Sequence, residues 1–172
     1  MNNRLIEYGR IIIPVLLHLA FFQYVILANG WWFLGFHLLG MLLIPLQRSP
    51  LVILLLCGMV GALVDLAAYE GGLFMSSGLI MGLAIPVINR LMAPREGYKN
   101  SDEPTIASMG LAWFIIRTAT LLLIHHLWLF TWEASRWGLV FSAWGKAFTS
   151  SLFSTLAFAL IVLLTQRQTK GR

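Results

Sequence analysis

Residues 11–46 read IIIPVLLHLAFFQYVILANGWWFLGFHLLGMLLIPL, without a single Lys, Arg, Asp or Glu. At about 1.5 Å of rise per residue, this stretch is too long for one crossing of about 30 Å of hydrocarbon. The turn signal Ala28-Asn29-Gly30 divides it. The reading is therefore a first membrane helix over about 11–27 and a second over about 31–46, closed by Gln47-Arg48-Ser49-Pro50.

The same alternation of long apolar runs and short polar breaks continues to the C-terminus. A third helix is predicted over about 51–69, carrying Asp65, with Glu70-Gly71-Gly72 as the next turn. A fourth covers about 73–89 and ends at Arg90. The polar stretch 93–108 holds Arg95, Glu96, Lys99, Asp102 and Glu103, and is the only loop long enough to present a surface of its own. A fifth helix over about 106–132 carries Arg117 and the pair His125-His126. Residues 133–146 alternate aromatic and polar side chains, as a short helix lying in the interface does, before a sixth span over about 147–166.

Composition agrees with lipid as the solvent. The chain has 172 residues, of which 59% are hydrophobic and 11% charged, with a mean hydropathy of +0.80. A soluble domain carries about 25% charged residues. The net charge of +5 does not point to nucleic acid, because Lys and Arg sit at the ends of apolar segments and form no basic face. Arg4 and Arg10 ahead of the first apolar run resemble a signal peptide, but no small-residue cleavage site followed by a polar chain appears, so this run is expected to stay as the first helix. Cys57 is the only cysteine, which excludes an intrachain disulfide.

Placing the N-terminus in the cytoplasm puts Arg4, Arg10, Arg48, Arg90, Arg95, Lys99, Arg167, Lys170 and Arg172 inside, and only Arg136 and Lys146 outside. Trp31, Trp32, Trp128, Trp132, Trp137 and Trp144 then fall near the outer interface, where indole rings prefer to lie. The expectation is one all-α transmembrane domain spanning 1–172, with six helices and both termini inside.

Asp65 costs at least about 2.5 kcal/mol inside a span unless it is paired, protonated or hydrated. His125 and His126 lie at a similar depth, so a buried polar pair between Asp65 and one of them is expected, with Arg117 either snorkelling to the inner surface or facing the same polar interior. With one cysteine and no third ligand at helical spacing, no metal site is expected. Gly78 and Gly82 form G-x-x-x-G, Gly58 and Ala62 a weaker counterpart, and Ala143, Ala147, Ser150, Ser154 and Ala157 a small stripe; each is a face for close helix packing, inside the bundle or with a partner. No nucleophile elbow, Walker A, zincin or paired-carboxylate pattern is present, so neither an enzyme nor a cofactor is expected.

Met92-Ala93-Pro94-Arg95-Glu96-Gly97-Tyr98, followed by Pro104-Thr105, Met109-Gly110, Trp113-Phe114 and Ile124-His125-His126-Leu127-Trp128-Leu129-Phe130, resembles MreD, the rod shape-determining membrane protein family, in its Bacteroidetes form. Gly61-Ala62-Leu63-Val64-Asp65, Gly72-Leu73, Pro86 and Arg90 look like the family's central stretch. The pattern departs at Phe74-Met75 and Ile85, where the family often has a His-Ala pair and an Arg.

The resemblance implies a non-enzymatic scaffold of cell-wall elongation in the bacterial inner membrane. Such a protein binds MreC, couples MreB filaments indirectly to peptidoglycan synthesis, and acts on RodA with its class B penicillin-binding protein; homo-oligomers are compatible with it. The loop residues Arg95, Glu96, Gly97 and Tyr98 would supply the cytoplasmic surface. The family is also similar in fold to the S components of energy-coupling-factor transporters, which implies a second reading, a membrane protein binding a small molecule such as a vitamin.

Overall fold

The computed structural model describes residues 3–25, 27–99 and 102–167, which are helical throughout apart from turns and one isolated bridge between Leu27 and Trp32. The helices are α1 (Asn3–Ala20), α2 (Phe36–Leu42), α3 (Pro50–Ala68), α4 (Leu73–Leu91), α5 (Ile106–Met109), α6 (Leu111–Ala134) and α7 (Val140–Arg167). Four segments, Pro50–Ala68, Leu73–Leu91, Leu111–Ala134 and Trp137–Thr165, are long and apolar enough to cross a membrane, and Tyr8–Ala20 is a shorter apolar helix. This is a helical membrane protein.

Local chemistry sets most of these ends. α3 begins where the Ser49 hydroxyl accepts from Val52 N and Pro50 occupies the first turn, a position at which its missing N–H costs nothing. It stops at Tyr69, held in the left-handed region at φ 57°. Gly72, at φ 97°, then turns the chain into α4. Helices α3 and α4 form a tight hairpin, α1 packs on α2, and α6 lies between α4 and α7. One apolar core, including Leu38, Met41, Ile53, Met81, Phe114 and Phe158, fills the centre. A smaller one of Leu129, Phe130, Ala143 and Ala147 fills the end away from the 93–108 loop. On the outside, Leu51, Leu55, Met59 and Leu66 of α3 and Leu152, Leu156, Leu160 and Leu164 of α7 are exposed, as lipid-facing side chains are.

Three sequence expectations change. The second helix is the seven residues of α2, not a span over 31–46. Its length, about 10 Å, does not cross a bilayer alone, and every one of its residues is buried. The preceding backbone is taken by α7: Phe33 N donates to Ser150 Oγ at 3.0 Å, Ser154 Oγ donates to Phe33 O at 2.9 Å, and Ser150 Oγ donates to Trp31 O at 3.3 Å. The small stripe on α7 therefore receives this irregular segment of its own chain, where backbone groups at membrane depth must find partners in protein. At the other end, Pro45 disfavours helix at Ile44.

Second, the expected fifth span is split by Gly110 at φ 87° into α5 and α6. Third, residues 133–146 form no separate interfacial helix. The chain turns at Ser135 in the left-handed region, runs through a short 3-10 turn over Trp137–Leu139, and α7 starts at Val140. Trp137 and Phe141 remain largely exposed there.

Candidate functional site: a buried histidine cluster

All four histidines of the chain come together inside the bundle. His18 of α1, His37 of α2, and His125 and His126 of α6 are each at most 1% exposed. Ring centroids are 4.3 Å apart for His18 and His37, 6.3 Å for His37 and His125, and 5.4 Å for His125 and His126. Phe33, Phe74 and Phe130 close the cluster: Phe74 lies 5.8 Å from His37, and Phe130 stacks on His126 at 5.5 Å. The irregular 31–35 segment makes this possible, because stapling it to α7 brings α2, and with it His37, into the middle of the protein.

The hydrogen-bonding capacity of these rings is mostly unused. Both nitrogens of His37, both of His125, Nε2 of His126 and Nδ1 of His18 are buried without a protein partner. A buried polar group left unsatisfied costs about 1–3 kcal/mol. Of these rings, His126 has a side-chain hydrogen-bond partner among the described residues, Ser151, whose Oγ lies 2.9 Å from Nδ1. Ser151 Oγ donates its one proton to Ala147 O at 2.7 Å, so toward His126 it can only accept. That arrangement suits the His126 tautomer with its proton on Nδ1, which leaves Nε2 a lone pair. Among the described residues, no three His, Cys, Asp or Glu side chains already stand arranged to hold a metal ion.

Asp65 does not pair with either histidine. Its Oδ1 accepts from Phe74 N at 3.0 Å and its Oδ2 from Met75 N at 2.7 Å, so the carboxylate caps α4. The reason is local. The turn after α3 aims the free N–H groups and positive dipole end of α4 at the last turn of α3, and a carboxylate there is stabilised by charge-assisted bonds. Asp65→Asn keeps one acceptor and loses the charge. It is expected to lower stability in detergent by about 1–3 kcal/mol, against near zero for Glu96→Gln on the exposed loop, as read from thermal unfolding; equal effects would refute the cap.

Arg117 neither snorkels nor approaches Asp65. It is fully buried, donating from Nε to Asn89 Oδ1 at 2.7 Å and from one terminal nitrogen to Leu42 O at 2.9 Å, with its guanidinium 5.3 Å from the Trp113 ring centre. Leu42 ends α2, so the cation occupies the negative end of that helix and satisfies one of its free carbonyls. Asn89 had not stood out in the sequence, nor had His18, His37 or Ser151. The available signal was that every histidine lies in an apolar segment.

The glycines serve the α3–α4 hairpin. Gly78 faces Cys57 O and Gly82 faces Leu54 of α3, whereas Gly58 faces the Leu79 side chain of α4. Ala62 is half-buried. At the other end of the bundle, the 93–108 loop is fastened at several points. Tyr98 donates to Asn89 O at 2.7 Å, Trp113 Nε1 to Met92 O at 3.2 Å and Gln47 to Lys99 O at 2.7 Å, and Arg10 pairs with Glu103. Partial burial raises the Tyr98 phenol above its ordinary value, so it stays protonated as a donor at neutral pH. Gly97, at φ 75°, makes the turn, and Arg95 and Glu96 are exposed beside a cavity of about 450 Å³ that Asp102 and Met109 also line. A second cavity, about 430 Å³, opens at the far end between Trp31, Phe130, Glu133 and Lys146, the last two forming an ion pair at 3.2 Å.

No family model matches this chain, and neither the curated proteins nor the solved structures compared with it gave a match.

Proposed function

We propose that the protein is a non-enzymatic scaffold of the MreD type, working in the bacterial inner membrane. It binds MreC, and through that complex serves MreB-guided peptidoglycan synthesis by RodA and its class B penicillin-binding protein. The observation that carries this reading is the loop. The stretch with the most specific resemblance is a built surface, tied down through Tyr98–Asn89 and Trp113–Met92, with Arg95 and Glu96 left facing water. Partly buried anchors below an exposed charged rim suit recognition of a partner better than catalysis.

In this reading the chain crosses six times, with α1 and the α2 region as the first two crossings and both termini in the cytoplasm. The fold expected with it is that of the energy-coupling-factor S components. Reporters fused at Lys99 and Arg136 are then expected on opposite membrane sides.

The direct test is co-purification. Expressed with a bitopic MreC from the same genome, the tagged protein is expected to retain it through detergent extraction and gel filtration. Recovery no better than for an unrelated polytopic protein would refute the scaffold. The runner-up, a small-molecule binder of the S-component kind, is favoured by one observation, the buried unsatisfied nitrogens of the histidine cluster. A vitamin or an energising module would then co-purify instead.

A further inference from the structure

We propose that the cavity between Trp31, Phe130, Glu133 and Lys146 seats the headgroup of an aminophospholipid, with its phosphate against Lys146 and its primary ammonium against Glu133. The assignment does not depend on the scaffold reading and survives its failure.

Three elements build the cavity. The last turns of α6 supply Phe130 and Glu133, the start of α7 supplies Ser142 and Lys146, and the turn at 29–31 closes the third side. Its volume of about 430 Å³ falls within the range of about 300–1,000 Å³ usual for small-ligand sites.

Depth decides which molecules reach it. Trp31 lies on its wall, and Trp132, Trp137 and Trp144 stand in or beside the same two helix ends, each between 48% and 89% exposed. Indole rings gathered in this way mark the level of the lipid headgroups. A charged cavity at that level meets phospholipid headgroups at far higher concentration than any dissolved ligand.

The charges then select among headgroups. Lys146 Nζ donates to both carboxylate oxygens of Glu133, at 3.3 and 3.2 Å, and lies 4.3 Å from the centre of the Phe130 ring. An ammonium has three N–H donors and a carboxylate about four acceptor positions, so one donor and about two acceptor positions are left over. The Lys146 and Glu133 side chains are 26% and 50% exposed, so their own attraction is weak and the pair opens readily. A zwitterion laid antiparallel across the pair uses both leftovers at once: a phosphate oxygen accepts from Lys146, and a primary ammonium donates to Glu133. A purely anionic headgroup such as phosphatidylglycerol brings no partner for Glu133 and is repelled by it. Choline carries a positive charge but has no N–H to donate, so a phosphoethanolamine group is the one that satisfies both residues.

The test uses the full chain in detergent, delipidated and then offered phosphatidylethanolamine, phosphatidylcholine or phosphatidylglycerol with identical acyl chains, bound lipid being counted by native mass spectrometry. One phosphatidylethanolamine per chain is expected, held about tenfold more tightly than either of the others, as a single charge-assisted hydrogen bond allows. Glu133→Gln is expected to erase that preference and Lys146→Gln to weaken phosphatidylethanolamine about tenfold, whereas Glu96→Gln at the opposite end changes neither. Should one variant fail to fold, the wild-type ranking and the other variant still decide. Equal retention of the three lipids would mean a nonspecific lipid shell and no seat. A preference undiminished in both variants puts the lipid elsewhere and equally overturns the proposal. Glycerophosphoethanolamine, the headgroup without its chains, is expected to displace the lipid only weakly. If it binds as tightly as the lipid, the cavity serves a dissolved zwitterion and the lipid assignment falls.

Discussion

Asn89→Leu is expected to lower the unfolding free energy by about 3–5 kcal/mol, the cost of leaving a buried charge without its partner. Arg117 is fully enclosed, and its acceptors are one side-chain amide and one helix-terminal carbonyl. Removing the amide leaves the fully buried guanidinium with Leu42 O as its remaining hydrogen-bond acceptor. Arg117→Met acts differently. It removes the charge, keeps most of the volume, and leaves the neutral acceptors Asn89 Oδ1 and Leu42 O unpaired at about 1–3 kcal/mol each. The double variant takes away the charge and one orphan together, so it is expected to be more stable than Asn89→Leu alone, as replacement of a whole buried polar set often is. Cys57, the sole cysteine and fully buried, supplies the readout, since a thiol-reactive fluorophore labels it only on unfolding. If Asn89→Leu unfolds no earlier than Glu96→Gln, or if the double variant is worse than both singles by their sum, Arg117 is not held as described.

That same hub shows what the sequence could and could not disclose. α3 and α4 were legible because their signals are local: Ser49-Pro50 starts one, Gly71-Gly72 separates them, and a long, mainly apolar run supplies each body. The second helix is shorter than its apolar run for a reason with no local trace. Residues 31–46 carry no charge and read as one apolar run, but Ser150 and Ser154, more than a hundred residues later, take the backbone groups of Trp31 and Phe33, while Arg117 takes the carbonyl that ends α2. Tertiary partners overrode propensity there.

Asp65 failed in the opposite direction. Matching its depth to that of His125 suggested a long-range pair, yet the N–H groups it needed lay nine and ten residues ahead, at the start of the next helix. Arg117 was recognised as unusual but could not be assigned a partner, because Asn89 looks like an ordinary helix-end residue until α4 and α6 are packed. His18 and His37 are not obligatory charges like Asp65 or Arg117, so nothing local marks them within their apolar runs. Only the meeting of α1, α2 and α6 turns them, with His125 and His126, into a site.

The α3–α4 contact is closest at Gly61 rather than at Gly78 or Gly82. A Cβ on Gly61 would lie 2.2 Å from Phe74 O and 2.7 Å from Met75 Cα, both backbone atoms of the first turn of α4. No side-chain rotation relieves that overlap, so Gly61→Ala must push α4 away. Phe74 and Met75 also carry the two N–H groups bonded to Asp65, and the Phe74 ring packs on His37. One methyl group therefore strains the hairpin, the cap and the histidine cluster together. Overpacking of this kind costs about 1–3 kcal/mol and occasionally more; the upper end is expected here because the obstacle is backbone. Gly58→Ala is the matched control on the same helix. Its Cβ would meet the Leu79 side chain at 2.7 Å, a far end free to turn aside, and the gain of about 1 kcal/mol in helix propensity over glycine offsets the adjustment. Labelling of Cys57 on heating should thus begin well below the wild-type temperature for Gly61→Ala and close to it for Gly58→Ala. Indistinguishable midpoints would mean that the two helices do not touch at Gly61, and the hairpin would have to be redrawn.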